Sequence, residues 1–235
     1  MRSVRNIGLG GSGSLALGFY TLAMLELTTR VLRQFSRTFP NADLRMQEYS
    51  FVDATAGLAS RESDLAVVQL PVSHPGLDWE VYFTEPRVAV VAANHRLASR
   101  ERISAAEIAN ETLTIGRTDD AAYRAFWTLV DHRTAVGTPP IETTSHAEEL
   151  EIVATGRAIS ITAACAARFT PHAGVRFVPI DDVPPVETAL AWRRGDESPL
   201  VRQFVQIARE VRDGLPEVLR AIEDPFSEHV PQWRG

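Results

Sequence analysis

Asp64–Pro71 reads DLAVVQLP: an acid, an unbroken apolar run, then a polar residue and a closing proline. A short continuous apolar run between turn residues predicts a strand covered on both faces, as in a parallel sheet. Ligands of such sheets sit at the carboxyl ends of the strands, and Gln69 occupies that end.

The rest of the chain alternates strand-like and helix-like segments. Val4–Leu9 reads as a strand and Gly10–Ser14 as a glycine and serine loop. Leu15 to Phe39 reads as one long helix, with Val31, Leu32, Phe35 and Phe39 at helical spacing and Pro40 and Asn41 as its stop. Asp43–Tyr49 reads as a strand, Phe51–Arg61 as a short helix and Asp64–Leu70 as the third strand. This β-α-β-α-β order predicts a parallel sheet with right-handed crossovers. Strands follow at Arg87–Ala93, Thr112–Ile115, Ile141–Thr144, Ile159–Thr162, Val175–Pro179 and Val186–Trp192. Helices are predicted at Ile103–Ala109, Ala121–Val130 and Ser145–Thr155. The last of these opens on the capping pattern Ser145-x-x-Glu148 and closes at Gly156. Ser198 and Pro199 open a final helix whose apolar face is Leu200, Val201, Phe204, Ile207, Ala208 and Val211. Gly214 and Pro216 end it, and Glu217–Gly235 reads as another helical turn followed by irregular chain.

Composition narrows the function. The chain of 235 residues has a formal net charge of −6 and an ordinary apolar fraction, which argues against gripping a phosphate backbone directly. All of its cationic residues except histidine are arginines. The absence of lysine excludes Schiff-base and P-loop lysine chemistry. The single cysteine, Cys165, has no internal disulfide partner and reads as a packed small hydrophobe. No apolar stretch is long enough for a bilayer and no secretory signal is visible, so the expectation is a cytoplasmic protein with no membrane contact. The six histidines show no paired ligand spacing, and neither a metal nor a cofactor is expected.

Several segments occur in a recognisable order: RNIGLG, RQFSRTFPNADLRMQE, SDLAVVQLPVSHPGLDWEVYFTEPRVAVVAANHRLA, ISAAEIANETLTIG, EELEIVATGRAISIT and VETALAWRRGDESPLVRQFVQIAREV. Together they resemble the effector-binding domain of LysR-type transcriptional regulators, over roughly Arg5 to Val211. The resemblance implies an α/β fold of two Rossmann-like lobes around a central cleft, like a type 2 periplasmic binding protein. Lobe one would hold residues 1–82 and 184–235, and lobe two residues 83–183. The chain would cross near Phe83–Pro86 and Ile180–Pro185. It also implies a small-molecule effector, a homodimer or homotetramer, no catalysis, and DNA contact only through a head domain that this chain does not carry. Leu15–Leu25 departs from the family as an apparent extension of the first helix, and Ala158 and Ala163 replace the usual glycine and proline.

Gly8 to Gly13 matches G-x-G-x-x-G, the basis of a dinucleotide-enzyme alternative. No acid ends the second strand at the required distance. The other reading is an anion-attracting loop, with Ser12, Gly13 and Ser14 at the effector. The resemblance adds Ser50 and Phe51 after the second strand. Gln69 offers an amide that both donates and accepts. Arg117 offers a bidentate fork for a carboxylate, His146 a titratable ring beside a helix start, and Thr162 a hydroxyl at a strand end. The acids Asp119, Asp120, Glu148, Glu149 and Glu151 read as helix-start residues complementing the helix dipole. A transporter's solute-binding protein is the remaining alternative, since it uses the same fold.

Overall fold

The computed structural model describes residues 13–20, 22–134, 138–196 and 198–227. The chain runs β1 (Gly13–Phe19), α1 (Thr28–Thr38), β2 (Ala42–Glu48), β3 (Leu65–Leu70), β4 (Leu77–Glu85) and β5 (Arg87–Ala92). It continues through β6 (Thr114–Gly116), α2 (Ala121–Trp127), β7 (Ile141–Thr143), α3 (His146–Ala154), β8 (Ser160–Ala163) and α4 (Ala166–Phe169). It ends with β9 (Val175–Pro179), β10 (Val186–Arg193), α5 (Pro199–Asp213) and α6 (Pro216–Glu223). Ile103–Ala109 contains only a single 3-10 turn, Ala105–Glu107.

One sheet has five strands in the order β2-β1-β3-β10-β4. β1 runs parallel to β2 and β3, whereas β10 returns antiparallel between β3 and β4. A second sheet is β8-β5-β9, and β6 and β7 form a parallel pair. A parallel bridge between Leu113 and Ile159 joins these two smaller sheets edge to edge. β4 and β5 are separated only by Pro86, so the chain passes from the five-stranded sheet to the second set there. It passes back between β9 and β10.

Strand β3 is apolar on both faces for a packing reason. Successive side chains point to opposite sides of a strand. Leu65 and Val67 join the core under α1 and α5, where Phe35 and Phe204 meet with ring centroids 5.2 Å apart. Ala66 and Val68 join a smaller core with Tyr20, Ala56 and Leu58 on the other face. The six predicted apolar residues of α5 are all buried, and Val205 joins them.

Further elements differ from the sequence expectation. Leu15–Phe19 is a strand, and α1 begins only at Thr28, after a 3-10 turn at Leu25–Leu27. A short fully buried apolar run carries no period that separates helix from strand. The described residues of LALGFYTLAML are therefore no helix extension: they end β1 and lead into the 3-10 turn. The strand expected at Val4–Leu9 lies outside the described residues. The helix expected at Phe51–Arg61 is a series of turns. Asp53 organises it: its carboxylate accepts from the Thr55 N–H at 2.9 Å and the Gly57 N–H at 2.8 Å, offering the backbone an alternative to helix. Gly57 takes φ +84°, where an L side chain is disfavoured. Pro216 does not only end α5: it is also the first residue of α6, a position its missing N–H suits.

Gly18 lets this turn segment dock. A Cβ there would strike the Ala56 carbonyl oxygen and the Ser63 hydroxyl. Gly18→Ala is expected to destabilise the chain by on the order of 3 kcal/mol through overpacking, read as a lower urea midpoint at unchanged slope.

Candidate functional site

The carboxyl ends of β1 and β3 face the ends of β6 and β8 and the start of α3 across a cleft. Its central space is narrow, about 30 Å³, and is walled by Phe51, Gln69, Gly116, Tyr123, Trp127, His146, Glu149, Thr162 and Cys165, among others. Gln69 and Cys165 also wall a deeper space with Tyr20, Glu85 and Thr188. Phe51 and His146 also wall the mouth, with Ser50, Ser145 and Thr170.

The sheet ends are held rigidly. The Tyr20 hydroxyl accepts from the Gln69 backbone N–H at 2.7 Å and donates to the Gln69 carbonyl at 3.3 Å. Burial raises the pKa of the Tyr20 hydroxyl and keeps it neutral. With the Gln69 backbone satisfied by Tyr20 and by the β3–β10 ladder, its side-chain amide is left without a protein partner among the described residues. Across the cleft, a Cβ on Gly116 would lie 2.7 Å from the Phe51 Cβ, so only glycine lets β6 approach this ring. Asp120 fastens the same margin. One carboxylate oxygen caps α2 through the Ala122 and Tyr123 N–H groups, each at 3.0 Å, and the other accepts the Ser73 N–H at 2.6 Å. These bonds lower its pKa against the opposing effect of its partial burial.

His146 is bonded on both sides. The Thr170 hydroxyl donates to the Ala166 carbonyl at 2.8 Å, so it accepts from His146 Nε2, 2.9 Å away. His146 Nδ1 lies 3.1 Å from Glu149 Oε2, and the other Glu149 oxygen accepts the Thr114 hydroxyl at 2.8 Å. A hydrogen bond between Nδ1 and the carboxyl group needs one proton between them.

Glu85, the last residue of β4, is 1% exposed and accepts the Cys165 N–H at 2.9 Å. Burial raises its carboxyl to about 7, opposed by hydrogen bonds from Cys165 and by the nearby Arg168 guanidinium. Arg168 is itself 2.9 Å from Glu26. Burial also pushes the Cys165 thiol up, so it stays protonated. Among the described residues, no group of three His, Cys, Asp or Glu side chains is placed to hold a metal.

Of the residues named from sequence, Phe51, Gln69, His146 and Thr162 share the central wall and Ser50 stands at the mouth. Ser12 lies outside the described residues. Gly13 and Ser14 are the first residues of β1, paired with Ala42 and Asp43, at the strand end opposite Tyr20. The glycine-loop site therefore has no support in β1, whose direction sends its carboxyl end elsewhere. Arg117 is exposed, 3.6 Å from Glu142, and outside the cleft walls. Tyr20, Glu85, Trp127 and Glu149 were missed. Tyr20 was legible once LALGF is a strand, and Glu85 as an acid closing an apolar strand before proline. Glu149 lies in the first turn of α3 as expected, and it is also buried, 6% exposed.

A family model described as the LysR substrate binding domain matches residues 9–213. The HTH-type transcriptional regulator AlsR of Bacillus subtilis (strain 168) is 22% identical over 204 residues, covering 85% of this chain and 67% of that protein. The Hca operon transcriptional activator HcaR of Escherichia coli (strain K12) is 25% identical over 201 residues, covering 83% and 67%. The BenM effector binding domain with its effector benzoate superposes with a TM-score of 0.68 at 18% identity, covering 95% of this chain and 98% of that one. The effector binding domain of QuiR in complex with shikimate gives 0.67 at 17% identity, covering 86% and 98%.

Glu85 makes stability depend on pH. Its folded pKa of about 7 exceeds the ordinary 4.5, so the folded state holds the proton longer than the unfolded one. Its contribution is complete below 4.5 and is lost as pH rises through 7, by about 3 kcal/mol. Glu85→Gln is expected to remove that dependence, seen as similar urea unfolding free energies at pH 5 and pH 8 where the parent chain loses stability.

Proposed function

The chain belongs to the LysR substrate binding domain family, and we propose that it senses a small-molecule effector bound between its lobes. The effector contacts are Ser50, Phe51, Gln69, His146 and Thr162. The observation that carries this reading is the unpartnered Gln69 amide at the carboxyl end of β3, on the same wall as Thr162. A polar side chain at such a strand end is in the position where open α/β sheets hold ligands.

The lobe boundaries belong to the same proposal: residues 1–82 with 184–235, and residues 83–183. The sheet membership of β1–β4 and β10 against β5–β9 supports them. An effector acts by binding one arrangement of the lobes better than another, so its contacts on both walls set the balance. The Ser73–Asp120 bond and the close approach of Gly116 to Phe51 are the features it would strengthen or release.

Regulation of transcription in a longer protein, through a DNA-binding head, follows from the relatives, which are transcriptional regulators. Assembly as a homodimer or homotetramer and a cytoplasmic setting belong to the same reading. No helix among the described residues is long and apolar enough to cross a membrane.

Thermal melting against a library of small metabolites tests the proposal. A ligand of the folded chain raises Tm, by about 2.7 kcal/mol of stability at a hundredfold excess over Kd. Gln69→Leu and Thr162→Val are each expected to weaken that ligand by about tenfold, one hydrogen bond's worth. A stabilising ligand indifferent to both substitutions would place its site elsewhere.

A further inference from the structure

We infer that Glu85, Cys165, Arg168 and Glu26 form a proton-controlled clamp at the crossing between the lobes. Arg168 holds Glu26 while Glu85 keeps its proton, and exchanges to Glu85 once that proton leaves. The clamp rests on the lobe division proposed above and needs no effector.

The four residues meet where the chain first leaves the five-stranded sheet. Glu85 is the last residue of β4, one residue before β5 begins, and is 1% exposed. Its carboxyl oxygen accepts the Cys165 N–H at 2.9 Å, at the start of α4. Arg168 lies on that short helix and bonds back to the Cys165 carbonyl through its own N–H at 2.9 Å. Its guanidinium reaches the other lobe at two places. Nη2 is 2.9 Å from Glu26 Oε1, in the turn before α1, and Nη1 donates to the Ala221 carbonyl of α6 at 3.3 Å. One side chain therefore ties α4 to two separate elements of lobe one.

Arg168 is incompletely satisfied in this arrangement. Its side chain is 9% exposed, and Nε and Nη2 are buried without a hydrogen-bond partner among the described residues. The Glu26 contact is close but lacks the alignment of a hydrogen bond. Buried N–H groups left unused cost free energy, which favours a second partner. Glu85 is the buried carboxyl beside this guanidinium. Burial raises its pKa to about 7, and the Arg168 charge acts in the opposite direction.

The other charged and titratable groups around Glu85 are already settled. Burial keeps the Cys165 thiol and the Tyr20 hydroxyl neutral. Arg87 is bonded to the carbonyls of Pro184 and Phe126. Glu223 of α6 accepts the Thr84 N–H at 3.3 Å. Glu26 is the rival acid for Arg168.

The competition has a definite sign. Protonated Glu85 exerts no net pull on Arg168 and leaves it to Glu26. Ionised Glu85 is a buried carboxylate and needs a cation. The Glu26 side chain is 39% exposed, so water replaces its partner at small cost. The clamp is therefore closed below about pH 7 and released above it. Glu85 and Cys165 also wall the deeper space of the cleft, so the lobes carry the proton's effect to it.

A double-mutant cycle on the full chain tests the exchange: Glu26→Gln, Arg168→Gln and both together, unfolded in urea at pH 6 and pH 8.5. The coupling is expected to multiply the unfolding equilibrium constant by about fivefold at pH 6 and to fall within about twofold of none at pH 8.5. Glu85→Gln, which cannot ionise, is expected to keep the coupling at both. Amide exchange gives a second readout that leaves Arg168 in place. Protection of Ala166–Phe169 relative to the α5 amides, corrected for intrinsic rates, is expected to fall about fivefold between pH 6 and pH 8.5 in the parent chain and to hold in Glu85→Gln. Coupling equal at the two pH values, absent at pH 6, or lost equally in Glu85→Gln would overturn the clamp. Relative protection that does not change with pH in the parent chain would overturn it as well. The sensor is judged separately: a metabolite library without any ligand removes the sensor and leaves the clamp, whereas coupling indifferent to pH removes the clamp and leaves the sensor.

Discussion

Strand β10 is the pairing on which the architecture depends. It lies antiparallel between β3 and β4, with Leu190 opposite both Val67 and Glu80. Its first residue, Val186, pairs with Glu85, the last residue of β4. The outgoing and returning passes of the chain are thereby bonded side by side. Ile180 N–H donates to the Arg87 carbonyl, and the Arg87 side chain reaches the Pro184 carbonyl, so the fastening continues into the second set of strands. Burial lowers the Arg87 pKa to about 10, still well above neutrality, so the guanidinium keeps its charge and both carbonyl bonds. The cleft lies where it does because these two passes are its floor.

On that floor the chain has placed polar groups and neutralised nearly all of them internally. Tyr20 closes the end of β3, Asp120 spans from α2 to Ser73, and Glu149 is shared by His146 and Thr114. Buried charges left unpaired would be costly, so each is bonded or holds its proton. Among the wall groups left without a partner are the Gln69 amide, the Thr162 hydroxyl and the Trp127 N–H.

Much of the fold was legible because it depends on local pattern. The β3 run, the α5 apolar face and the Ser145 cap with Gly156 follow from short-range chemistry, and they stand where that chemistry puts them. Leu15–Phe19 was misread because a buried strand and a buried helix share one pattern over so few residues. The Phe51–Arg61 turns were misread because Asp53 competes for the backbone through its side chain, which apolar spacing does not register.

The sequence by itself determined the alternating strands and helices, their order, and the candidacy of Gln69, His146 and Thr162. Local propensity and burial pattern are properties of neighbouring residues, and they survive without knowledge of the fold. Only the tertiary structure decided that Arg117 stays outside, that Tyr20, Glu85 and Trp127 come to the cleft, and that Glu149 is bonded to both His146 and Thr114. Those outcomes depend on groups far apart in the chain, such as Glu85 and Cys165, meeting where water is excluded. Charge and hydrogen bonding there are set by the partners that packing supplies.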